Sequence, residues 1–212
     1  ILRSGTGAVV GIVEERDATP DERAIREVNT GLMAAPVALL RHYLPHVQPR
    51  NAQGEYYLTD VVALAVADGV RVNAVAAQNP DDALGINDRL QLAVAERTLQ
   101  RRRAEALLRL GVTLADPARL DVRGELVCGR DVFIDVNAVF EGRVVLGDGV
   151  RIGPNAVLRN CALGEGVEVQ AFSHLDGAHV GDRARIGPYA RLRPGAELAR
   201  DTHIGNFVEV KQ

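Results

Sequence analysis

The 212-residue sequence contains no tryptophan, one methionine and two cysteines, and its aromatics stop at four Phe and four Tyr. A chain without large rings has to build its cores from Val, Leu, Ile and Ala, and 47% of the residues are hydrophobic. Cys128 and Cys161 lack metal-type spacing and are too few for a disulfide framework, so both read as small buried hydrophobes in a reducing compartment. No apolar run reaches the roughly 18 residues that a membrane-spanning helix needs. No secretory leader opens the chain, which begins ILRSG, without Met, as if cut from something longer. A formal charge of −3 gives no reason to expect nucleic acid or an anionic membrane as partner. An ordinary globular protein with aliphatic cores is what this composition leads one to expect.

Lysine is the other scarcity. Of 25 basic residues only Lys211 is lysine. A position that stays lysine in so Arg-biased a chain is a candidate for a role that needs a compact ammonium rather than a planar fork.

What is present divides into two periods. Residues 1–89 alternate strand-like and helix-like patterns. AVVGIVEE (8–15), VNTGLMAA (28–35) and VRVNAVAA (70–77) read as strands. TPDE (19–22) reads as a capped helix start, with Thr19 and Glu22 able to close a capping box around Pro20. VALLRHYL (37–44) is helical. YYLTDVVALAVADG (56–69) places Leu58, Val61, Val62 and Ala65 on one helical face, with Gly69 as its stop. This alternation predicts an α/β layer on a largely parallel sheet. A long helix follows from Asn87 to about Leu110, an arm of roughly 36 Å. Asn87 is its expected cap, Gly111 closes it, and Arg101–Arg103 read as a solvated face.

After DPARLD (116–121) an aliphatic residue returns every six positions. Ile134, Phe140, Leu146, Ile152 and Leu158 share one register. The spacing slips to five at Leu163 and at Val180, then holds to Val210. Gly follows at positions such as Gly147, Gly153, Gly164 and Gly181, where it is expected to permit the turn between faces. A period of six fits neither helix nor plain strand. It signals a β-helix in which each hexad forms one face of a coil. Arg193 and Lys211 lie three hexads apart, so they should stack on one face in adjacent coils.

GIVEERDAT, EVNTGL, NAQGEYYLTD, GINDRLQL, DPARLDVRG, IGPYARLRPGAEL and GNFVEVK, in that order, resemble the bacterial bifunctional N-acetylglucosamine-1-phosphate uridyltransferase and glucosamine-1-phosphate N-acetyltransferase family. The resemblance implies three parts. Residues 1–89 are the C-terminal part of a Rossmann-like, glycosyltransferase-A-like nucleotidyltransferase domain. Residues 90–110 are a helical arm, and 111–212 are the first coils of a left-handed parallel β-helix. It implies a cytoplasmic enzyme of cell-wall precursor synthesis, assembled as a homotrimer through its β-helix. Acetyl-CoA, glucosamine-1-phosphate, UTP and N-acetylglucosamine-1-phosphate are the implied substrates, and Mg²⁺ the cofactor. Neither nucleic acid nor membrane is an implied partner.

By the same resemblance Glu14 and Asn29 hold the sugar, with Tyr57 and Thr59 lining its pocket. Asn87 is a Mg²⁺ ligand that also meets the nucleotide. Arg193 and Lys211 bind the phosphate of glucosamine-1-phosphate. The family's glycine-rich loop and metal-holding aspartate are absent from this sequence, and its general-base histidine is expected beyond Gln212. The sequence therefore reads as a central segment, expected to catalyse neither reaction alone. His203, and with it His42, His46, His174 and His179, reads as structural or solvated. A competing reading is a nucleotide-sugar pyrophosphorylase whose β-helix serves only assembly or regulation. A purely structural solenoid is disfavoured by the mixed charges on its outward positions.

Overall fold

The structure is a computed structural model that describes residues 1–211. It forms two compact units, Ile1–Gly85 and a second from Ile86 onward.

In the first unit β1 (Leu2–Arg3) and β2 (Val9–Gly11) form an antiparallel pair. Helices α1 (Pro20–Arg23), α2 (Val37–Tyr43) and α3 (Asp60–Ala67) follow. The capping box at α1 is closed: Thr19 Oγ1 accepts from Glu22 N and Thr19 N donates to Glu22 Oε2. The Thr19 amide, and then its hydroxyl, which also donates to Oε2, hold the Glu22 carboxyl below the usual range. Helices α2 and α3 share a small core of Tyr43, Val47, Val61 and Ala65. Tyr43 reaches out of it to give its hydroxyl to Asp68, 3.1 Å away.

Three expectations are corrected here. Residues 28–35 and 70–77 form no strands among the described residues, and the only sheet in this unit is the β1–β2 pair. Most of their apolar side chains stand in solvent, Leu32 at 87% exposure and Val75 at 94%, while Val70 packs partly against the small core. A buried parallel strand is made by the neighbours that pair with it and cover it, and neither segment has such a neighbour. Leu58 precedes α3 and is exposed, so the buried face of that helix is Val61, Val62 and Ala65.

The second unit opens with α4 (Arg89–Arg109). Its cap is Asp88, whose carboxylate accepts from Gln91 N at 2.7 Å, and not Asn87. The helix closes on Gly111, in the left-handed region at φ 91°. Val112 N bonds to Leu107 O and Gly111 N to Leu108 O, the paired bonds of a Schellman motif. The last turns of α4 do more than bridge. Ala104 and Leu107 belong to the β-helix core. Buried Gln100 offers its amide to the backbone of Val122 as a neighbouring strand would, Nε2 to Val122 O and Val122 N to Oε1, each at 2.9 Å. Arg103 also donates to the Val122 carbonyl and is half-buried, so the arginine triplet is not simply a solvated face.

Strands β3 (Thr113–Leu114), β4 (Leu120–Cys128), β5 (Phe133–Ile134) and β6 (Ala138–Leu146) begin a parallel solenoid. Short strands continue it to Glu209–Val210, in sheets of six and nine strands. The register follows the hexads: Leu120 pairs with Ala138, Val157 with His174, and Leu192 with Val210. The repeated aliphatics point inward, as the period requires, and from Ile134 to Leu192 all are buried. A second inward position, two residues earlier, holds small residues: Val132, Ala138, Val144, Val150, Ala156, Cys161, Val167, Ser173, Ala178 and Ala184. Cys161 is one of these, and burial raises its thiol pKa. Cys128 pairs in register with Leu146 in the first coil and is only half-buried; its thiol is pushed up to about 11 by desolvation.

Gly147, Gly153, Gly164 and Gly181 serve close approach rather than turn dihedrals, whereas Gly187 takes φ 94°. A Cβ on Gly147 would sit 2.7 Å from the Gly164 carbonyl carbon of the next coil, and one on Gly181 2.6 Å from Arg200 N. The non-glycine left-handed residues occur elsewhere. One corner column runs Asn137, Asn155, Phe172, Tyr189, Phe207, all with φ between 54° and 60°. Asn tolerates that region, whereas bulky residues rarely enter it. The three rings stack outward in solvent, with centroids 5.0 and 5.1 Å apart and planes within 13°.

Candidate functional sites

Two of the four sugar-site residues expected near the N-terminus meet at one cleft of about 330 Å³. Glu14 follows β2, and Asn29 lies in the unpaired segment after α1. Both line the cleft, with Ile12, Ala18, Glu22 and Arg23 among its other walls. Thr59 stands behind Glu14 and does not line it; its hydroxyl donates to Glu14 Oε1 at 3.2 Å. Tyr57 is half-buried, outside the helix and off the cleft, and its hydroxyl accepts from Gln53 Nε2 at 2.7 Å.

Two carboxylates that motif reading passed over sit beside Glu14. Burial raises the Asp60 pKa, and the charges of Asp17 and Glu14 raise it further. Asp17 is committed to the Ala52 amide at 2.7 Å. Asp60 was legible only as a helix start, and Asp17 only as a turn after a strand. Nothing in their spacing pointed to Glu14, because the approach is made by folding.

Asn87 belongs to the second unit, just ahead of the α4 cap. It is exposed, and its backbone N–H donates to Gln91 Oε1 at 2.6 Å. A Mg²⁺ ion asks for several oxygens, charged ones among them. Asn87 offers one neutral oxygen, and among the described residues no group of three His, Cys, Asp or Glu could hold a metal.

On the β-helix Leu192 pairs with Val210, and Arg193 N donates to Val210 O at 3.0 Å. Arg193 and Lys211 therefore occupy the same position in successive coils, both exposed. Arg191, on the same face, lies 3.7 Å from the Glu209 carboxylate. The ladder thus neutralises Arg191, while Arg193 and Lys211 appear in no ion pair among the described residues. His203, His174 and His179 are exposed at strand starts. No described helix is long and apolar enough to cross a membrane.

A coil of hexads with inward aliphatics, small second-inward residues and outward cations defines the second unit as a parallel β-helix of hexapeptide repeats. Residues 122–212 match the family described as the GMPPB C-terminal domain. Along the whole chain the "Bifunctional protein GlmU" of Azoarcus sp. is 58% identical over 211 residues, 47% of its own length. That of Methylibium petroleiphilum is 60% identical over 214 residues, 46% of its length. Among solved structures, a perosamine N-acetyltransferase mutant of Caulobacter crescentus in complex with CoA and GDP-perosamine has a TM-score of 0.45 at 26% identity, covering 53% of this chain and 58% of its own. The acetyltransferase domain of PglB from Neisseria gonorrhoeae has a TM-score of 0.45 at 22% identity, covering 55% of this chain and 58% of its own. The resemblance read from the motifs thus holds over the whole chain, which matches the bifunctional GlmU proteins and spans about half their length.

Proposed function

We propose that the chain is the part of a bifunctional enzyme of UDP-N-acetylglucosamine synthesis that joins its two reactions. The observation that carries this is the match, from end to end, to proteins described as bifunctional. In this reading the amine of glucosamine-1-phosphate attacks the acetyl-CoA thioester. A C–N bond forms, the C–S bond breaks, and the thiol leaves with the proton a general base has taken from nitrogen. Arg193 and Lys211, stacked in adjacent coils and free of ion pairs among the described residues, hold the sugar's phosphate by charge-assisted hydrogen bonds. The base is a histidine outside this sequence.

In the second reaction a phosphate oxygen of N-acetylglucosamine-1-phosphate attacks the α-phosphorus of UTP and expels pyrophosphate. Positioning and charge neutralisation are the protein's share of such a step. Glu14 accepts from sugar hydroxyls, and Asn29 pairs with the acetamido group. Asn87 is the side chain that would meet Mg²⁺, which neutralises phosphate charge when bound. A cytoplasmic homotrimer assembled through the β-helix completes the proposal.

The test uses the protein expressed from its complete gene. Arg193→Ala and Lys211→Ala are each expected to lower acetyl transfer from acetyl-CoA by about a hundredfold or more, in line with losing a charged phosphate contact. Lys211→Arg should recover only part of this. Acetyl transfer at the parent rate in both alanine variants would favour the pyrophosphorylase whose β-helix only assembles it.

A further inference from the structure

Thr59 breaks a local rule. It stands at the cap position of α3, and threonine there normally turns its hydroxyl to the first free amides of the helix. It makes no such bond, and its backbone is helical at φ −62°, ψ −23°. The backbone does the capping instead. Asp60 N bonds to Tyr57 O, Val61 N to Leu58 O and Val62 N to Thr59 O, at 3.1–3.2 Å. The hydroxyl is left to donate to Glu14 Oε1. Among the described residues Thr59 is the one donor recorded on that carboxylate. Glu14 is half-buried, with the acidic groups of Asp17 and Asp60 near enough to act on each other electrostatically. Without a donor, a carboxylate in such company swings away from its neighbours into water.

We infer that Thr59 is a positioning residue for Glu14: it fixes one carboxylate oxygen from behind, so that the other is presented to the cleft that Glu14 shares with Asn29. This rests on the reading of that cleft as the site for N-acetylglucosamine-1-phosphate. It changes the role of Thr59 in that reading from a wall of the pocket to a support outside it.

Kinetics of uridylyl transfer by the protein from its complete gene test this, varying N-acetylglucosamine-1-phosphate. Thr59→Val keeps the shape and removes the hydroxyl. It should raise KM about tenfold, the size of one hydrogen bond to a charged group, while kcat changes less than about twofold. Thr59→Ser should recover most of the loss. The melting temperature should not fall with Thr59→Val, since no cap is lost. In a Glu14→Ala background, which removes the acceptor, Thr59→Val should add nothing. Parent KM in Thr59→Val beside a raised KM in Glu14→Gln would overturn the positioning role and leave the sugar site standing. Fully additive effects would overturn it differently, by making Thr59 a direct contact. Parent KM in Glu14→Gln would sink the sugar-site reading itself, and the positioning role with it.

Discussion

The two units handle the same kind of residue in opposite ways. In the second, an aliphatic side chain every sixth residue finds its copy one coil away, and the positions from Ile134 to Leu192 are all buried. In the first, equally apolar segments around Leu32 and Val75 lie in solvent, and the shared core reduces to Tyr43, Val47, Val61 and Ala65. A repeat satisfies itself from its neighbours in sequence. A mixed α/β layer depends on strands brought together from far apart, and among the described residues it has one antiparallel pair.

The sharpest way to break this comparison is to truncate one residue of each kind. Leu158→Ala, at a fully buried rung, should destabilise the second unit by about 2–5 kcal/mol, because the stacked coils above and below cannot collapse into the gap. Denaturant unfolding followed by far-UV circular dichroism measures it. Val61→Ala in the smaller core should remove about 1.5–2.5 kcal/mol, at roughly 0.8 kcal/mol per buried methylene. Val75→Ser should stay within about 0.5 kcal/mol, as an exposed substitution does. A Val75→Ser loss as large as that of Val61→Ala would mean that the 70–77 segment is covered in solution, and the contrast between the units would fail.

Acid response sharpens it further, through small effects of opposite sign. Asp148 is held low first by the Arg130 backbone amide and then by its guanidinium; Asp201 is held low by Arg183. A lowered carboxyl stabilises the fold fully above its ordinary value of about 4, and the gain is lost as pH falls through the folded value. Asp60 is raised, by burial first and then by Asp17 and Glu14. Its contribution favours the fold below about pH 4 and is lost as pH rises through the raised value. Asp148→Asn should therefore flatten the acid side of the second unit's stability curve. Asp60→Asn should slightly stabilise the first unit near neutrality. Melting temperatures across pH 3–7 distinguish the two.

The β-helix was legible because its signal is local and repeated: period six, with slips at Leu163 and Val180 that reappear as 17-residue coil spacings such as Val157 to His174. The second inward position was not read, because it mixes Val, Ala, Cys and Ser and no single residue type recurs there. The glycines were read for dihedral freedom, yet positions such as Gly147 lie beneath the backbone of the next coil, a contact that appears only once coils stack. At the helix start, Asn87 and Asp88 are both capping types, and the choice between them fell to the register of Gln91. The pairing of Glu14 with Thr59 spans 45 residues. Motifs located both, but only the fold shows that one stands behind the other.

The outward ring column has an optical consequence. The chain has no tryptophan, and its four tyrosines are Tyr43, Tyr56, Tyr57 and Tyr189. Three belong to the first unit, while the fourth is clasped between Phe172 and Phe207. At the tyrosine band, to the red of phenylalanine absorption, the solenoid is therefore seen through one ring, sandwiched at a spacing set by the pitch of the backbone coils. Replacing Tyr189 with Phe would remove the solenoid's tyrosine band and keep the column. Replacing the other three would leave a single-tyrosine protein whose dichroism and emission follow the winding of the coils alone.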